Sequence, residues 1–359
     1  TNQTKGKVRC AIVGLGRIGS TLESDSLREK PCTHAGAVVA DPYCALVGGC
    51  DTDSKARERF LADWGSSGKE AGPDQTFEAV EVFEDFDKML EAAQPDILIV
   101  ATYPESHRRL TEKAVRAGTP VIICEKPLAR SLGDAKAIAR IHRSGRAKIL
   151  VNHERRYSLD YMEARRAVQE GRYGELLSVK GTLCFGSTLP RREVLLHDGT
   201  HMLDAVNFLV CGNTPDSGKE QEAGRTAGVK LHRRFGSMKS AEKSAFLFGR
   251  AGRIPVCIEA GSQRDHLVFE LELGFEEGRI RVGNGTYSFE RSAESPYYEG
   301  YRSLIPDPDA PARPEKTGYF SEMVADAVRC VREPEHQPLS SAIDALEVMK
   351  FIRSVKIWY

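Results

Sequence analysis

Short runs of consecutive apolar residues alternate with amphipathic stretches over the first 150 residues. The apolar residues within each run are nearly continuous, which is typical of parallel strands buried on both faces. The runs are Val8–Val13, Ala45–Cys50, Ile97–Ala101, Val121–Cys124 and Ile149–Val151. Between them, Glu105–Ala117 and Ser131–Ser144 are predicted helices, each followed by a glycine suited to a helix C-terminus. This alternation predicts an α/β fold with a doubly wound parallel sheet.

The pattern changes after about residue 150. Glycines and charged turns there separate strands that are predicted to form a largely antiparallel open sheet. The predicted strands are Leu176–Phe185, Val229–Phe235, Lys243–Phe248, Val256–Gly261, His266–Leu273, Gly278–Gly283 and Thr286–Arg291. The predicted helices are Tyr161–Glu170, Asp198–Val210, Gly318–Arg332 and Ser340–Val355. We therefore expect two domains, 1–150 and 151–359, with the last helices able to pack back on the first domain.

Composition narrows the class of protein. Among 359 residues, 51 Lys and Arg balance 51 Asp and Glu, whereas a nucleic-acid binder would normally carry a clustered basic excess. No apolar run reaches the ~18–20 residues of a membrane-spanning helix. The nine cysteines form no C-x-x-C pair, and an odd number in a chain of this size is typical of reduced cytosolic thiols. We expect a cytoplasmic protein with neither nucleic acid nor membrane as partner.

A glycine motif follows the first predicted strand and opens a helix. The residues are Gly14, Leu15, Gly16, Arg17, Ile18 and Gly19. In a dinucleotide-binding loop of this form, the first glycine makes the tight turn and the second lets the backbone approach a pyrophosphate. The third allows close helix–strand packing. The placement favours this interpretation over a merely flexible turn.

Asp51 follows the second predicted strand, where this fingerprint requires an acid that accepts hydrogen bonds from the adenosine ribose hydroxyls. Its separation from Gly14 exceeds the usual ~20 residues, and the excess falls in Glu23–Pro42, read as an inserted loop plus the rest of the first helix. A carboxylate repels a 2′-phosphate, so NAD is favoured over NADP, although Lys55 and Arg57 lie nearby. The alternative is that Asp51 caps the next helix.

Further motifs carry a family resemblance, and the most specific is Glu125-Lys126-Pro127 at the end of a strand. The others are Ala101–Pro104 followed by His107, Asn152–Tyr157, the turn Gly171–Leu176, Gly199–Asp204 and Phe320–Met323. Together they resemble the glucose–fructose oxidoreductase and inositol dehydrogenase family of sugar dehydrogenases. The likeness covers nearly the whole chain, apart from the insertion near 23–33 and the loops around 213–228 and 293–316.

The resemblance implies a Rossmann domain followed by an α/β domain whose open sheet covers the cofactor and often mediates dimers or tetramers. It implies NAD as cofactor, a carbohydrate or cyclitol substrate and a homo-oligomer. The family's catalytic lysine falls on Lys126 and its catalytic histidine on His201. Besides the glycine loop and Asp51, the residues expected at the cofactor are Thr102, Pro104, His107, Glu125 and Lys126. His34, beside the insertion, is expected to border it.

The chemistry of Lys126 and His201 agrees with the catalytic roles that the resemblance implies. Ligands of open α/β sheets bind at the carboxyl ends of the strands, where Lys126 lies. Oxidising an alcohol by hydride transfer needs a proton acceptor and a group that stabilises the developing alkoxide. An ammonium serves the second purpose and an imidazole the first. The alternatives are a surface lysine before a turn and a histidine that only caps a helix or fills the core.

The chain departs from the family pattern near His201. Many members carry Asp four residues before this histidine, but here that position is His197 and the aspartate is Asp198. Residues i and i+4 share a helix face, so His197 and His201 are predicted to project into one cleft if the helix has already begun. A zinc site on this pair is disfavoured because no third ligand stands out, and we expect no metal.

Polar residues after the last strand of the first half are weaker candidates for substrate binding. Asn152, His153 and Arg156 are predicted to contact substrate hydroxyls or nicotinamide, together with Lys126, His197, Asp198 and His201. For Arg155 and Arg156, a salt-bridging role is an equal alternative.

Three functions remain open. The leading one is an NAD-dependent oxidoreductase acting on a ring secondary alcohol of a sugar, glycoside or cyclitol. A second is a glycoside hydrolase or lyase that uses NAD transiently, since oxidising one ring carbon acidifies its neighbour and permits elimination. A third is a non-catalytic NAD-dependent sugar sensor, because a Rossmann fold alone does not specify chemistry. The presence of the candidate catalytic residues Lys126 and His201 disfavours the interpretation as a non-catalytic sensor.

Overall fold

A computed structural model describes residues 6–65, 79–184, 195–196, 198–210, 244–261 and 264–354. The chain divides into two compact units. The first comprises Thr1–Tyr157 and Gly318–Leu346, and the second comprises Ser158–Thr317 and Glu347–Tyr359. Where the sequence places the boundary at 150/151, the chain passes from one unit to the next at Tyr157/Ser158, and a C-terminal helix returns to the first unit.

The first unit contains a parallel sheet. Its described strands are β1 (Val8–Val13), β2 (Cys44–Cys50), β3 (Glu81–Phe83), β4 (Ile97–Val100), β5 (Val121–Cys124) and β6 (Lys148–Val151), in the order β3-β2-β1-β4-β5-β6. The helices are α1 (His34–Ala40), α2 (Ser54–Trp64), α3 (Phe86–Ala93), α4 (Pro104–Arg116) and α5 (Leu132–Arg143). The order reverses between β1 and β4, which is the point where ligands bind in such sheets. The predicted doubly wound sheet is confirmed.

Helices α1, α2, α3 and α5 begin where a short polar side chain accepts a hydrogen bond from a backbone amide of the first turn. Ser131 Oγ accepts a hydrogen bond from the amide of Asp134 at 3.1 Å and donates to its carboxylate at 2.6 Å. Thr33 caps α1 in the same way through the amide of Gly36, at 3.0 Å. Such caps stabilise a helix by about 1 kcal/mol each.

The second unit contains a mixed, largely antiparallel sheet. Its elements are α6 (Leu159–Gln169), β7 (Leu176–Cys184), α7 (Gly199–Val210), β8 (Ser244–Ala251), β9 (Ile254–Gly261), β10 (Val268–Phe275), β11 (Gly278–Gly283), β12 (Tyr287–Glu294) and β13 (Arg302–Pro306). The strand order is β13-β12-β11-β10-β7-β9-β8, and β7 pairs parallel with β9. The predicted second sheet is confirmed. The predicted strand Val229–Phe235 lies outside the described residues.

Alternation along β10 shows that the second sheet has an apolar face and a polar face. Leu271 and Leu273 are fully buried, whereas Glu270 and Glu272 are half-buried. Glu272 pairs with Lys180 of β7 at 2.9 Å on the polar face. This is the pattern of an antiparallel sheet that packs one side on its core.

A C-terminal helix completes the core of the first unit. This helix, α8 (Tyr319–Arg332), contributes Phe320, Met323 and Val324 to the same buried cluster as the strands β1, β4 and β5. Tyr157 Oη donates to Asp326 Oδ2 of α8 at 2.8 Å. The apolar face of α8 therefore explains its return to this unit. The last described helix is α9 (Ala342–Ser354).

The cysteines of the described ranges are free thiols. None of the helices in these ranges has the length and apolar character needed to cross a lipid bilayer.

Candidate cofactor-binding and catalytic site

The three glycines of the loop after β1 have different surroundings. Gly14 has φ +93°, and a Cβ there would lie 2.6 Å from the carbonyl oxygen of Ala101. A Cβ on Gly19 would lie 2.2 Å from the carbonyl oxygen of Gly14. A Cβ on Gly16 would meet nothing within 4 Å. Packing of the chain thus requires the first and third glycines, while the second leaves open space where a pyrophosphate approaches in this motif.

The helix that follows the glycine loop is interrupted by the insertion. The amide of Ser20 donates to the carbonyl of Gly16 at 2.9 Å, which starts a helical turn. The chain then leaves through a 3₁₀ turn at Thr21–Ser24. It returns at α1, where the amide of His34 donates to the carbonyl of Ile18 at 3.1 Å. The helical turn after the glycine loop is therefore followed in space by α1, although the insertion separates the two in sequence.

Asp51 lies directly after β2 and contacts the glycine loop. Its Oδ2 accepts a hydrogen bond from the amide of Leu15 at 2.8 Å, and its Oδ1 accepts one from the amide of Asp53 at 3.0 Å. Helix α2 is capped by Asp53 rather than by Asp51, because the Asp53 side chain accepts from the amide of Lys55. Each oxygen of Asp51 keeps a second lone pair, so it can still accept from a ribose hydroxyl.

Arg57 is one of the two cations near Asp51 in sequence that could attract a 2′-phosphate. Its guanidinium donates to the backbone carbonyls of Asp51, at 2.7 Å, and Thr52, at 3.1 Å. It also lies 3.5 Å from the carboxylate of Glu84. These contacts bind the guanidinium of Arg57 to the protein's own backbone and to Glu84.

His107 of α4 is completely buried between two loops of the site. Its Nε2 lies 2.9 Å from the carbonyl oxygen of Thr102, and its Nδ1 lies 3.2 Å from that of Leu128. Burial lowers the pKa of His107, against hydrogen bonds that raise it. The ring therefore fixes the segment after β4 against the segment after β5. That Thr102, Pro104 or His107 contacts the cofactor stays a prediction.

Glu125 and Lys126 follow β5. Glu125 is buried, and its Oε1 accepts from His34 Nε2 at 2.7 Å and from Asn152 Nδ2 at 2.6 Å. Burial raises the pKa of Glu125, but His34, the Asn152 amide and the Lys126 charge outweigh burial and lower the pKa below its ordinary value. Glu125 is thus held as a carboxylate immediately before Lys126, which is half-buried.

The polar residues after β6 are buried rather than exposed. Asn152 Nδ2 is bound to Glu125, whereas its Oδ1 is buried and has no hydrogen-bond partner among the described residues. Arg156 donates to the carbonyl of Leu339 at 2.9 Å and lies 3.5 Å from Asp344. Arg156 thus makes the kind of salt bridge that the sequence left open as an alternative to substrate binding. Substrate contacts of Asn152, His153 and Arg156 stay predictions.

The second unit holds the remaining predicted catalytic group. Helix α7 begins at Gly199, and the amide of His201 donates to the carbonyl of Asp198 at 3.1 Å. His201 therefore lies in the first turn of α7, and it is half-buried. His197 lies outside the described residues, so its pairing with His201 stays a prediction.

One group of possible metal ligands occurs among the described residues. Asp326, Cys330 and His336 place their ligand atoms within 4.8 Å of one another. His336 Nε2 lies 2.5 Å from Asp326 Oδ1, while Asp326 Oδ2 accepts from Tyr157 and from the amide of Leu339. Burial, and then the charge of Asp326, raise the pKa of Cys330 to about 12. These contacts describe a hydrogen-bonded network that joins α8 to the following loop.

Sequence reasoning placed His34 near the cofactor but missed its pairing with Glu125. The two residues lie 91 positions apart, and no motif links them. A glycine loop after β1, an acid after β2 and a lysine after β5 lie at the carboxyl edge of one parallel sheet. This is the arrangement of an NAD-binding Rossmann domain.

Comparison with known proteins gives the same class. Residues 8–153 match the model of a family described as an oxidoreductase family with an NAD-binding Rossmann fold, GFO_IDH_MocA. This segment is therefore similar to that family, the one its motifs resemble.

Three similar proteins illustrate the range of relatives. Inositol 2-dehydrogenase of Rhizobium meliloti is 29% identical over 58% of this chain and 57% of its own length. D-apiose dehydrogenase of Paraburkholderia graminis is 33% identical over 46% of this chain and 42% of its own length. The crystal structure of the WlbA dehydrogenase of Bordetella pertussis, in complex with NADH and UDP-GlcNAcA, has a TM-score of 0.66 at 17% identity. It covers 99% of this chain and 96% of the other. The matched segments thus span about half the length of these curated relatives.

Proposed function

We propose that this protein is an NAD-dependent dehydrogenase that transfers hydride between a ring secondary alcohol of a sugar, glycoside or cyclitol and nicotinamide. The observation that carries the proposal is Lys126 at the carboxyl end of β5, directly after a buried carboxylate, in the sheet that carries the glycine loop. Relatives named inositol 2-dehydrogenase and D-apiose dehydrogenase support a polyhydroxylated substrate.

The residues present fit NAD. Gly16 leaves open space at the loop, Asp51 keeps acceptor capacity beside it, and Asn152 Oδ1 is a buried acceptor without a partner among the described residues. We assign the pyrophosphate to the backbone of Gly16, Arg17 and Ile18, and the adenosine ribose to Asp51. When bound, NAD supplies the hydride acceptor.

The chain's own residues supply the proton chemistry in this proposal. The ammonium of Lys126 stabilises the oxyanion as the substrate hydroxyl loses its proton, an interaction that strengthens in the transition state. His201 accepts that proton as general base. His197 orients His201 or binds a substrate hydroxyl. Asp198, His153 and Arg156 complete the proposed contacts to substrate.

The test begins with the purified protein and the identification of any nucleotide that purifies with it. Sugars, glycosides, polyols and cyclitols are then supplied with NAD⁺, and NADH absorbance and substrate loss are followed together. Stoichiometric NADH supports a dehydrogenase. Glycoside cleavage without NADH accumulation would identify the transient-oxidation hydrolase or lyase instead. Ligand binding without turnover of any substrate would identify the sensor.

Cytoplasmic location and homo-oligomeric assembly are further parts of this proposal. Size-exclusion chromatography with light scattering tests the assembly, and a monomer at micromolar concentration would contradict it.

A further inference from the structure

His34 is the first residue of α1 and is completely buried. Its Nε2 lies 2.7 Å from Glu125 Oε1. Because a carboxylate only accepts, the proton of this hydrogen bond sits on Nε2. Nδ1 is buried without a hydrogen-bond partner among the described residues, which suits an unprotonated ring nitrogen better than a buried N–H. The ring edge packs on Phe320, with centroids 5.2 Å apart.

Glu125 connects this histidine to Lys126. Its second oxygen accepts from the amide of Lys126 at 3.2 Å, and its backbone amide donates to the carbonyl of Val100 at 2.9 Å. Asn152 Nδ2 shares Oε1 with His34. A buried carboxylate bound by several donors is strongly oriented, because breaking any one of these hydrogen bonds leaves a buried polar group unsatisfied.

The insertion fixes where His34 stands. Thr33 Oγ1 donates to Glu23 Oε2 at 2.6 Å, and the amide of Cys32 donates to the same oxygen at 3.1 Å. The amide of His34 then donates to Ile18 in the glycine loop's own helix. His34 therefore contacts the helical turn of the glycine loop through its backbone amide and the segment that carries Lys126 through its side chain.

We propose that His34 is a positioning residue, which acts through Glu125 to hold Lys126 in register with the glycine loop. The role rests on the proposed dehydrogenase function. It predicts that loss of the Nε2 donor reduces the rate of the chemical step, because a displacement of ~1 Å can cost ~10²-fold in rate. It also predicts that binding of NAD, which the proposed function assigns to other residues, changes little.

Two substitutions of His34 separate the hydrogen bond from the shape of the side chain. His34→Phe keeps the ring and its packing on Phe320 but has no donor. His34→Gln places an amide N–H near the position of Nε2. His142 provides the control, because it is a half-buried histidine of the first unit that accepts a hydrogen bond from the amide of Ile149 at 3.0 Å.

His34→Phe should lower kcat on the order of 10–10²-fold, while KM and the Kd for NAD⁺ change by about twofold or less. His34→Gln should recover most of the loss. His142→Phe should lower Tm and leave kcat at the wild-type value.

A pH profile distinguishes positioning from general destabilisation. The titratable groups around Glu125 are His34 on α1, His107 on α4, and Cys124 and Lys126 in its own segment. Without the His34 donor the pKa of Glu125 rises, so in His34→Phe the acidic fall of kcat should move to higher pH. His34→Gln should keep the wild-type profile, and His142→Phe should not move it.

A double-mutant cycle of His34→Phe and Glu125→Gln, measured by thermal unfolding, tests the hydrogen bond between His34 and Glu125 without any assay of activity. Coupling appears as a Tm loss in the double variant smaller than the sum of the single losses. Wild-type kcat and pH profile in His34→Phe would overturn the positioning role while the proposed function stands. Additive Tm losses would overturn it too. Absence of NADH formation by the unaltered protein would instead remove the proposed function, and this role with it.

Discussion

The amide of His34 donates a hydrogen bond to the carbonyl of Ile18, which lies on the far side of the insertion in sequence. The amide of Ala35 likewise donates to Gly19, at 3.0 Å. These bonds extend the helical turn after the glycine loop into α1, so the insertion is accommodated without separating α1 from that loop. The insertion also lengthens the distance in sequence from Gly14 to Asp51 while leaving Asp51 in contact with Leu15.

Glycine substitutions should separate folding from cofactor binding. Gly14→Ala should lower Tm, because φ is +93° and the new Cβ would lie 2.6 Å from the Ala101 carbonyl. Gly16→Ala has open space and should keep the wild-type Tm while weakening NAD⁺ binding about tenfold or more. Gly145→Ala, at φ +70° with nothing within 4 Å, measures the cost of φ alone, about 1 kcal/mol. Thermal unfolding and NAD⁺ titration check all three, and equal Kd values for Gly16→Ala and wild type would contradict the loop assignment.

Asp51→Asn should weaken the binding of NAD⁺ by roughly tenfold, the scale of losing one charge-assisted hydrogen bond. It should also reduce the preference of the protein for NAD⁺ over NADP⁺. The physical reason is that the carboxylate accepts from ribose hydroxyls and repels a 2′-phosphate. Asp53→Asn is the matched control, since asparagine also caps helices well. Fluorescence titration with both nucleotides measures the effect. Unchanged affinity for both would place Asp51 away from the ribose.

Lys126→Met should lower kcat by on the order of 10²-fold or more, the scale of losing one oxyanion stabiliser. The Kd for NAD⁺ should stay near the wild-type value, because the charge acts mainly in the transition state. Lys136→Met, at an exposed position of α5, controls for the substitution itself. Steady-state kinetics and NAD⁺ titration decide, and near-normal turnover would remove Lys126 from the mechanism.

His201→Ala should lower kcat by on the order of 10²–10⁴-fold, as expected for loss of a general base. His197→Ala should be milder and should raise KM more than it lowers kcat. His197→Asp restores the commoner family pattern and should keep substantial activity if His197 orients His201. The pH–rate profiles of the three variants are the measurement. If His201→Ala keeps the acidic limb while His197→Ala abolishes it, the two roles are reversed.

Stability should fall as the pH drops below the ordinary histidine value of about 6.5. Burial lowers the pKa of His107 in the folded protein, and that of His142 in the same way. The unfolded chain therefore binds protons in this range that the folded chain does not, and protonation favours unfolding until the folded pKa is reached. His107→Gln should flatten the dependence of Tm on pH between about 7 and 5. An unchanged slope would show that His107 titrates normally.

The sequence by itself determined the first unit closely, because continuous apolar runs, turn glycines and caps are local signals. It placed β1 and β5 at their observed residues and identified the loop of Gly14, Gly16 and Gly19 together with the acid after β2. It left β3 and β13 unassigned, since a strand of three residues and an edge strand in a Pro-rich segment carry little periodicity.

Only the tertiary structure decided which polar residues face one another. The pairing of His34 with Glu125 and of Arg156 with Asp344 joins residues far apart in the chain, and neither residue type nor spacing encodes such a contact. The same holds for α8, whose amphipathic pattern predicts a buried face but does not say against which sheet it packs. Local patterns specify elements because hydrogen bonding and burial within an element are short-range in sequence. Partners across the core are selected by the packing of the whole fold.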